Sequence, residues 1–379
     1  MKIVFLVDSL HSIAAGSERQ IYKLVEGLVA SGHQVKLVLL RHTGFTRGNF
    51  DFPCPVECLE VSSIVSVSAA KKLLALKSRL KSESVDLVHA YFPDSCLLGP
   101  LYLKSDRLKV FTSRRDMGLI YKGKPAALYR LLRHRTDGVI SNSKAVAELV
   151  REKEHLSTKA SFVAYNGIEP FDVEVEGTGE AIYQSTDSIK LILVANIKPV
   201  KRNLDAVKAV RRLLEKGHSV ELALVGKAQD KQYVEEIKAY IAETELESTI
   251  HWLGQVQEPR RLLKQADIGL LVSESEGLSN TLMEYMQVGL PVVATNVGGN
   301  PELVEGGVTG ALVEKGQVDE IVAAISHLAS DKKLQRAMGE AGMRKMTDEF
   351  SITAMVRHHE AFYSSNKPEK KDSANAIAG

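Results

Sequence analysis

Two glutamates, Glu276 and Glu284, stand eight residues apart around Gly277-Leu278-Ser279-Asn280-Thr281-Leu282-Met283. An ionised carboxylate only accepts hydrogen bonds, and it can take both hydroxyls of a diol such as those of a sugar or a ribose. The segment follows Ile268-Gly269-Leu270-Leu271-Val272, an apolar run of the kind that forms a buried strand. Ser279 or Asn280 is a good N-cap, and Gly289 before Pro291 is a clean stop, so the pattern predicts a helix beginning near Ser279. The N–H groups of its first turn would make an anion site at the carboxyl end of a strand. Glu276 then stays on the loop, and Glu284 rides the helix about a turn and a half further on. The two acids can thus flank a ligand whose phosphates rest on the helix start. Taken alone, each acid reads at least as well as a solvated surface carboxylate.

The elements that must position these groups alternate along the chain. Short β-branched runs at 2–7, 35–40, 86–90, 108–112, 138–141 and 161–164 predict strands, with helical patterns at 17–31, 69–82, 94–103, 125–135 and 144–153. Asn166-Gly167 marks a turn, and the acidic, Gly/Ser/Thr-containing stretch 170–188 reads as a connection between domains. The pattern restarts at Lys190-Leu191-Ile192-Leu193-Val194-Ala195, with further strands at 220–225, 249–253, 268–272, 291–294 and 310–313. Helices are expected near 203–216, 231–243, 259–265, 279–288, 299–305 and 317–328, then one long helical pattern over 332–363 and a frayed tail. Alternation of this kind predicts an α/β protein of two Rossmann-like lobes, 1–170 and 188–349, each built on a parallel sheet. Ligands in such sheets bind beyond the carboxyl ends of the strands, here in a cleft between the lobes.

The totals fit. A chain of 379 residues, 44% hydrophobic and 25% charged, is too long for one core and about right for two α/β domains. Cys54 and Cys58, in Cys-Pro-Val-Glu-Cys, resemble half of a zinc site that no second Cys/His pair completes; with Cys96 they read as reduced structural thiols. Met1-Lys2 runs straight into an apolar first strand, which does not read as a signal peptide, and no apolar stretch approaches the roughly 20 residues of a membrane span. The expected location is the cytoplasm. The net charge of +2 hides +9 on residues 1–170 and −7 on the remainder. Ten basic residues lie between Lys104 and Arg135, which reads either as a solvated helix face or as a patch for an anionic membrane or a phosphate-bearing acceptor.

Residues 276–302 run Glu-x7-Glu, then Met-Gln-Val-Gly-Leu-Pro-Val-Val-Ala-Thr, then Asn-Val-Gly-Gly-Asn-Pro-Glu. This resembles glycosyltransferase family 4, a large family of retaining enzymes with the two-lobed GT-B fold. The resemblance continues in Ala15-Gly16-Ser17-Glu18, Asp86-Leu87-Val88-His89, Asn166-Gly167-Ile168-Glu169, Lys198-Pro199-Val200-Lys201 and Gly306-Gly307-Val308-Thr309-Gly310. It implies that a last helix, about 350–364, returns to the N-terminal acceptor lobe, while 188–349 forms the donor lobe. It also implies roles for single residues. Glu276 would hold the donor sugar near the reacting carbon, and Glu284 the ribose. The amides of Asn280 and Thr281, behind Ser279, would cradle the diphosphate, and Lys201 would neutralise it. Gly16 would let backbone approach the phosphates.

Departures from the family pattern concern charge. The second basic residue is replaced by Asn196, leaving Lys198 or Arg202 to supply its charge, and the first glycine of the N-terminal loop is Ala15. A histidine slot after the strand near 108–112 holds Arg115, suited to a phosphate of donor or acceptor, so the catalytic set implied is Glu276, Lys201 and Arg115. His89 is either structural or functional, and Glu18 either caps a helix dipole or contacts the acceptor. The chain has no Asp-x-Asp, so neither a metal nor a cofactor is expected beyond the donor substrate. The function implied is metal-independent, retaining transfer of a sugar from a nucleotide sugar, most commonly a UDP-sugar, to a glycan or a polyprenyl-diphosphate-linked acceptor. No nucleic-acid partner is expected. The competing readings are a nucleotide-sugar 2-epimerase and a non-catalytic nucleotide-sugar-binding subunit of a polysaccharide assembly.

Overall fold

The computed structural model describes residues 1–13, 16–48, 51–121, 126–171 and 181–365. Ala15, Lys122, Lys124, the middle of the 170–188 connection and the expected tail lie outside the described residues. The chain divides into two compact units, the first made of residues 1–167 with the C-terminal stretch from Ile352, the second of Ile168–Ser351.

Unit 1 is built on seven parallel strands, β1 (Lys2–Val7), β2 (Gln34–Leu39), β3 (Val56–Cys58), β4 (Leu87–Tyr91), β5 (Lys109–Arg114), β6 (Gly138–Ser141) and β7 (Ser161–Val163). Their order in the sheet is β3-β2-β1-β4-β5-β6-β7. β1 sits inside with Ile3 through Val7 all buried, which is why it reads as an unbroken apolar run: helices cover both faces of a parallel sheet. β3 is absent from the sequence reading, being three residues long, only partly buried and at the sheet edge. The helix expected over 94–103 is an α-helix only over Pro93–Leu98 and widens into a π-helical turn at Gly99–Leu103. Pro100 has no N–H to continue the tighter ladder. All three cysteines are free, and burial pushes the Cys54 and Cys96 thiols up to about 12.

The long helical pattern over 332–363 is two helices, Lys332–Glu349 and Ile352–Ser365. Phe350 is buried and its carbonyl accepts the Ile168 amide at 2.8 Å, which ends the first helix where the chain leaves unit 2. The second helix lies on the first helix of unit 1, Gly16–Ala30. Gly27 makes room for it, since a Cβ there would stand 2.4 Å from Val356 Cγ2. Phe362 stacks on Phe162 with ring centroids 4.6 Å apart.

Unit 2 has six parallel strands, β8 (Ile189–Val194), β9 (Val220–Val225), β10 (Ile250–Gly254), β11 (Ile268–Leu271), β12 (Val292–Thr295) and β13 (Gly310–Val313), in the order β10-β9-β8-β11-β12-β13. The segment expected as a helix at 259–265 is a 3₁₀ turn opened by Pro259. The chain entering β8 is pinned by Glu221 on β9. Its carboxylate accepts from the amides of Gln184 (2.8 Å) and Ser185 (3.0 Å) and from Ser188 Oγ (2.5 Å), and it meets His251 Nε2 at 2.6 Å. Burial alone would raise its pKa, but Ser188, the two amides and His251 outweigh burial and bring it to about 2. A carboxyl depressed from 4.5 to about 2 stabilises the fold fully above pH 4.5, and that stability is lost as pH falls through 2. The contribution is roughly 3 kcal/mol. Urea unfolding of unit 2 between pH 5 and 2 is expected to show this loss, and Glu221→Gln to flatten it. An equally steep acid dependence in Glu221→Gln would remove Glu221 as its source.

Candidate active site

β11 delivers the chain at its carboxyl end into Ser273–Ser279, and a helix starts at Asn280 and runs to Gln287. Ser279 is its N-cap, with Oγ accepting the Leu282 amide at 3.2 Å. Of the two candidate caps, then, serine takes the role, and Asn280 and Thr281 form the first turn, whose amides have no carbonyl within the helix to bond. Two contacts fix the helix to the end of β8. Thr281 Oγ1 donates to the Val194 carbonyl at 3.2 Å, and Tyr285 Oη accepts the Val194 amide at 2.7 Å. Gly269 permits the second, because a Cβ there would stand 2.5 Å from the Tyr285 ring. Tyr285 was not singled out from sequence; at an apolar helix position it is indistinguishable from any core aromatic. Glu284 is half-buried on the same helix.

A second loop meets this one. The amide of Glu274 donates to the Val200 carbonyl at 2.8 Å, joining the 273–276 loop to the 3₁₀ turn Pro199–Lys201. Lys201 Nζ then lies 2.6 Å from Glu276 Oε1, which also accepts from Ser273 Oγ at 2.7 Å. Of the two residues expected to supply a further positive charge, Arg202 is committed. It bonds Asp205 at 2.7 Å and Glu274 at 3.0 Å, and Lys315 holds the other oxygen of Glu274 at 2.7 Å. Lys198 is not so bound. Burial, and then repulsion from Lys201, lower its pKa, with Glu276 as the opposing influence. Two lysines therefore share one glutamate beside a helix start, an arrangement that favours an anion.

Unit 1 holds the other expected residues. Gly16 opens the first helix at φ +49°, with open space where a Cβ would be, so conformation and not crowding calls for glycine. Glu18 accepts the amides of His11 (2.7 Å) and Ser12 (3.2 Å), anchoring the loop before its helix. His89 is fully buried in mid-strand, 2.6 Å from Tyr363 Oη and 2.8 Å from Ser113 Oγ; it joins the returning helix to the sheet, and its structural reading stands. Arg115 lies just past β5, donating to Asn166 Oδ1 with its guanidinium 5.7 Å from the Tyr91 ring centre.

The basic segment Lys104–Arg135 is not one open patch. Lys104 and Lys109 pair with Asp137, Arg114 is buried against Glu154, and Arg135 donates to the carbonyls of Pro100 and Leu101. No helix among the described residues is long and apolar enough to cross a membrane.

Two family models divide the chain between them: "Glycosyltransferase Family 4" over residues 14–170 and "Glycosyl transferases group 1" over 180–345. The chain belongs to glycosyltransferase family 4. It is a sugar-transferring enzyme of glycoconjugate biosynthesis, with the two parallel-sheet domains of the GT-B fold. One relative is the N-acetyl-alpha-D-glucosaminyl L-malate synthase of Bacillus anthracis, 26% identical over 76% of this chain and 78% of its own length. Another is the Escherichia coli UDP-Gal:alpha-D-GlcNAc-diphosphoundecaprenol alpha-1,3-galactosyltransferase, 23% identical over 80% of this chain and 81% of its own. Among solved structures, Anabaena Alr3699/HepE in complex with UDP superposes with a TM-score of 0.81 at 20% identity, covering 96% of this chain and 100% of that one. The epimerase and non-catalytic readings are not favoured beside these transferases.

Proposed function

We propose that this family 4 enzyme transfers a sugar, with retention and without a metal, from a nucleoside-diphosphate sugar to a hydroxyl of a glycan or lipid-linked acceptor. The observation that carries the reading is Lys201 held 2.6 Å from Glu276 beside the Ser279-capped helix start. The diphosphate would rest on the amides of Asn280 and Thr281, with Lys201 and Lys198 answering its charge, Glu276 on the sugar hydroxyls and Glu284 on the ribose diol. As the bond from the anomeric carbon to phosphate breaks, these groups stabilise the charge gathering on the leaving oxygen. The acceptor oxygen bonds to the same face of that carbon, and its proton passes to the leaving phosphate oxygen. A double displacement would need a carboxylate nucleophile, and Glu276 is instead assigned to the hydroxyls. UDP is the nucleotide favoured, because the HepE structure holds UDP and the galactosyltransferase is named for a UDP-sugar donor. The latter's diphosphoundecaprenol acceptor supports a lipid-linked acceptor here.

Peripheral contact with an anionic membrane belongs to the same proposal, resting on exposed Leu128 and Leu131 beside exposed Arg130. A thermal-shift panel of nucleoside diphosphates and their sugars, run in excess EDTA, tests the donor reading, because a ligand of the native state raises the melting temperature. UDP or a UDP-sugar is expected to give the largest rise, and the transfer product is expected to keep the donor's anomeric configuration by NMR. No shift with any nucleotide overturns the donor site, an inverted product overturns retention, and failure to co-sediment with anionic vesicles at low salt overturns the membrane contact.

A further inference from the structure

Among the described residues, no carboxylate pairs with Arg115. It is the first residue beyond the carboxyl end of β5, where parallel sheets take their ligands. Its guanidinium is fixed by Asn166 Oδ1 and the Tyr91 ring, neither of which carries charge. The nearby carboxylates are engaged elsewhere. Asp116, next in the chain, accepts the Ile120 amide at 3.2 Å, and Glu154 belongs to Arg114. Two imidazoles stand close by, His89 and His359, and burial first and Arg115 among other charges hold both below their ordinary pKa, His359 at about 3. They are neutral and compensate nothing. A half-buried cation held fixed with no carboxylate paired to it favours an incoming anion.

Two further groups around it lack partners. Asn142, at the end of β6, gives its side-chain N–H to the Arg115 carbonyl at 3.3 Å, while its Oδ1 is buried with no hydrogen bond. His359 uses Nδ1 on the Met355 carbonyl at 2.8 Å, and its Nε2 is likewise buried without a partner. An acceptor oxygen on a residue bonded to the Arg115 backbone, and an acceptor nitrogen on a ring that feels the Arg115 charge, suit a ligand that brings both an anionic group and hydroxyls.

We propose that Arg115 is the anion-binding residue of an acceptor subsite in unit 1, taking a carboxylate or phosphate carried by the acceptor, with hydroxyl donors of the same molecule meeting Asn142 and His359. The inference rests on unit 2 holding the donor, whose diphosphate already has Lys198, Lys201 and a helix start to answer its charge. The planar fork of arginine fits either anion in two-point contact.

Titration of the whole protein with inorganic phosphate and, separately, with succinate tests the assignment and tells the two anions apart. At least one is expected to bind, with affinity falling tenfold or more in Arg115→Gln and unchanged in Lys201→Ala. UDP is expected to show the reverse pattern, weakened by Lys201→Ala and indifferent to Arg115→Gln. The apo Arg115→Gln protein is expected to melt no lower than wild type, since an uncompensated, half-buried charge has gone, whereas a structural arginine would lower the melting temperature. If the glutamine variant does not fold, Arg115→Lys keeps charge and stem and is expected to weaken the bound anion threefold or more. Absence of binding by both anions at tens of millimolar, unaltered affinity in the folded Arg115 variants, or loss shared with Lys201→Ala overturns the subsite. Failure of UDP to bind while the anion pattern holds would count against the donor reading instead.

Discussion

Lys201→Ala is expected to reduce sugar transfer roughly 100- to 1,000-fold, equivalent to about 3–4 kcal/mol of lost transition-state stabilisation. The charge that grows on a departing diphosphate is largest in the transition state, and a lysine ammonium fixed beside a helix start acts there without reorganising. Glu276→Ala is expected to cost transfer as heavily but to act oppositely on the free nucleotide. Lys201 Nζ is 2.6 Å from Glu276 Oε1, so an incoming diphosphate must compete with that carboxylate for the lysine. Removing the carboxylate lets UDP bind more tightly while the sugar loses its hydroxyl acceptor. Affinity by calorimetry and transfer rate, measured on both variants, check the pair. If Glu276→Ala weakens UDP as much as Lys201→Ala does, Glu276 is not a competitor for the lysine, and the assignment of the two side chains is wrong.

The same pair shows how far a sequence carries. The helix start at Ser279 was readable because capping chemistry is local: a hydroxyl residue, two turns of helix and a glycine stop. The central strands were readable because burial on both faces leaves an unbroken apolar run, and β3 was missed because three half-exposed edge residues leave none. Lys198 and Arg202 flank the same turn and no spacing separates them. Only the approach of Glu274 and Asp205, the former from a distant loop, commits the arginine and leaves the lysine. The break at Phe350 is silent for a related reason. A buried phenylalanine continues the helical period, and what ends the helix is the Ile168 amide from elsewhere in the chain. In the basic segment a linear count of charge ignores which way a side chain leaves the backbone. Successive residues at the end of β5 point to opposite sides, so Arg114 enters the core and Arg115 does not follow it.

That inward arginine gives the largest stability effect expected in unit 1. Arg114 Nε and its NH2 lie 2.7 and 3.1 Å from the two oxygens of Glu154, and both side chains are 2% exposed. Tyr121 Oη donates to Glu154 at 2.8 Å, and the guanidinium lies 4.7 Å from the Tyr129 ring centre. Such a pair adds little net stability over well-packed apolar residues, because both charges have been taken out of water. Breaking it is another matter. Glu154→Ala strands the guanidinium in the core and is expected to cost about 3–5 kcal/mol, whereas Arg114→Met combined with Glu154→Leu is expected to recover most of that loss. The sole tryptophan, Trp252, belongs to unit 2, so its fluorescence is the wrong probe. Hydrogen exchange at the β5 and β6 amides reads unit 1 directly. Equal protection losses in the single and double variants would mean that packing volume, and not an uncompensated charge, sets the cost at this site.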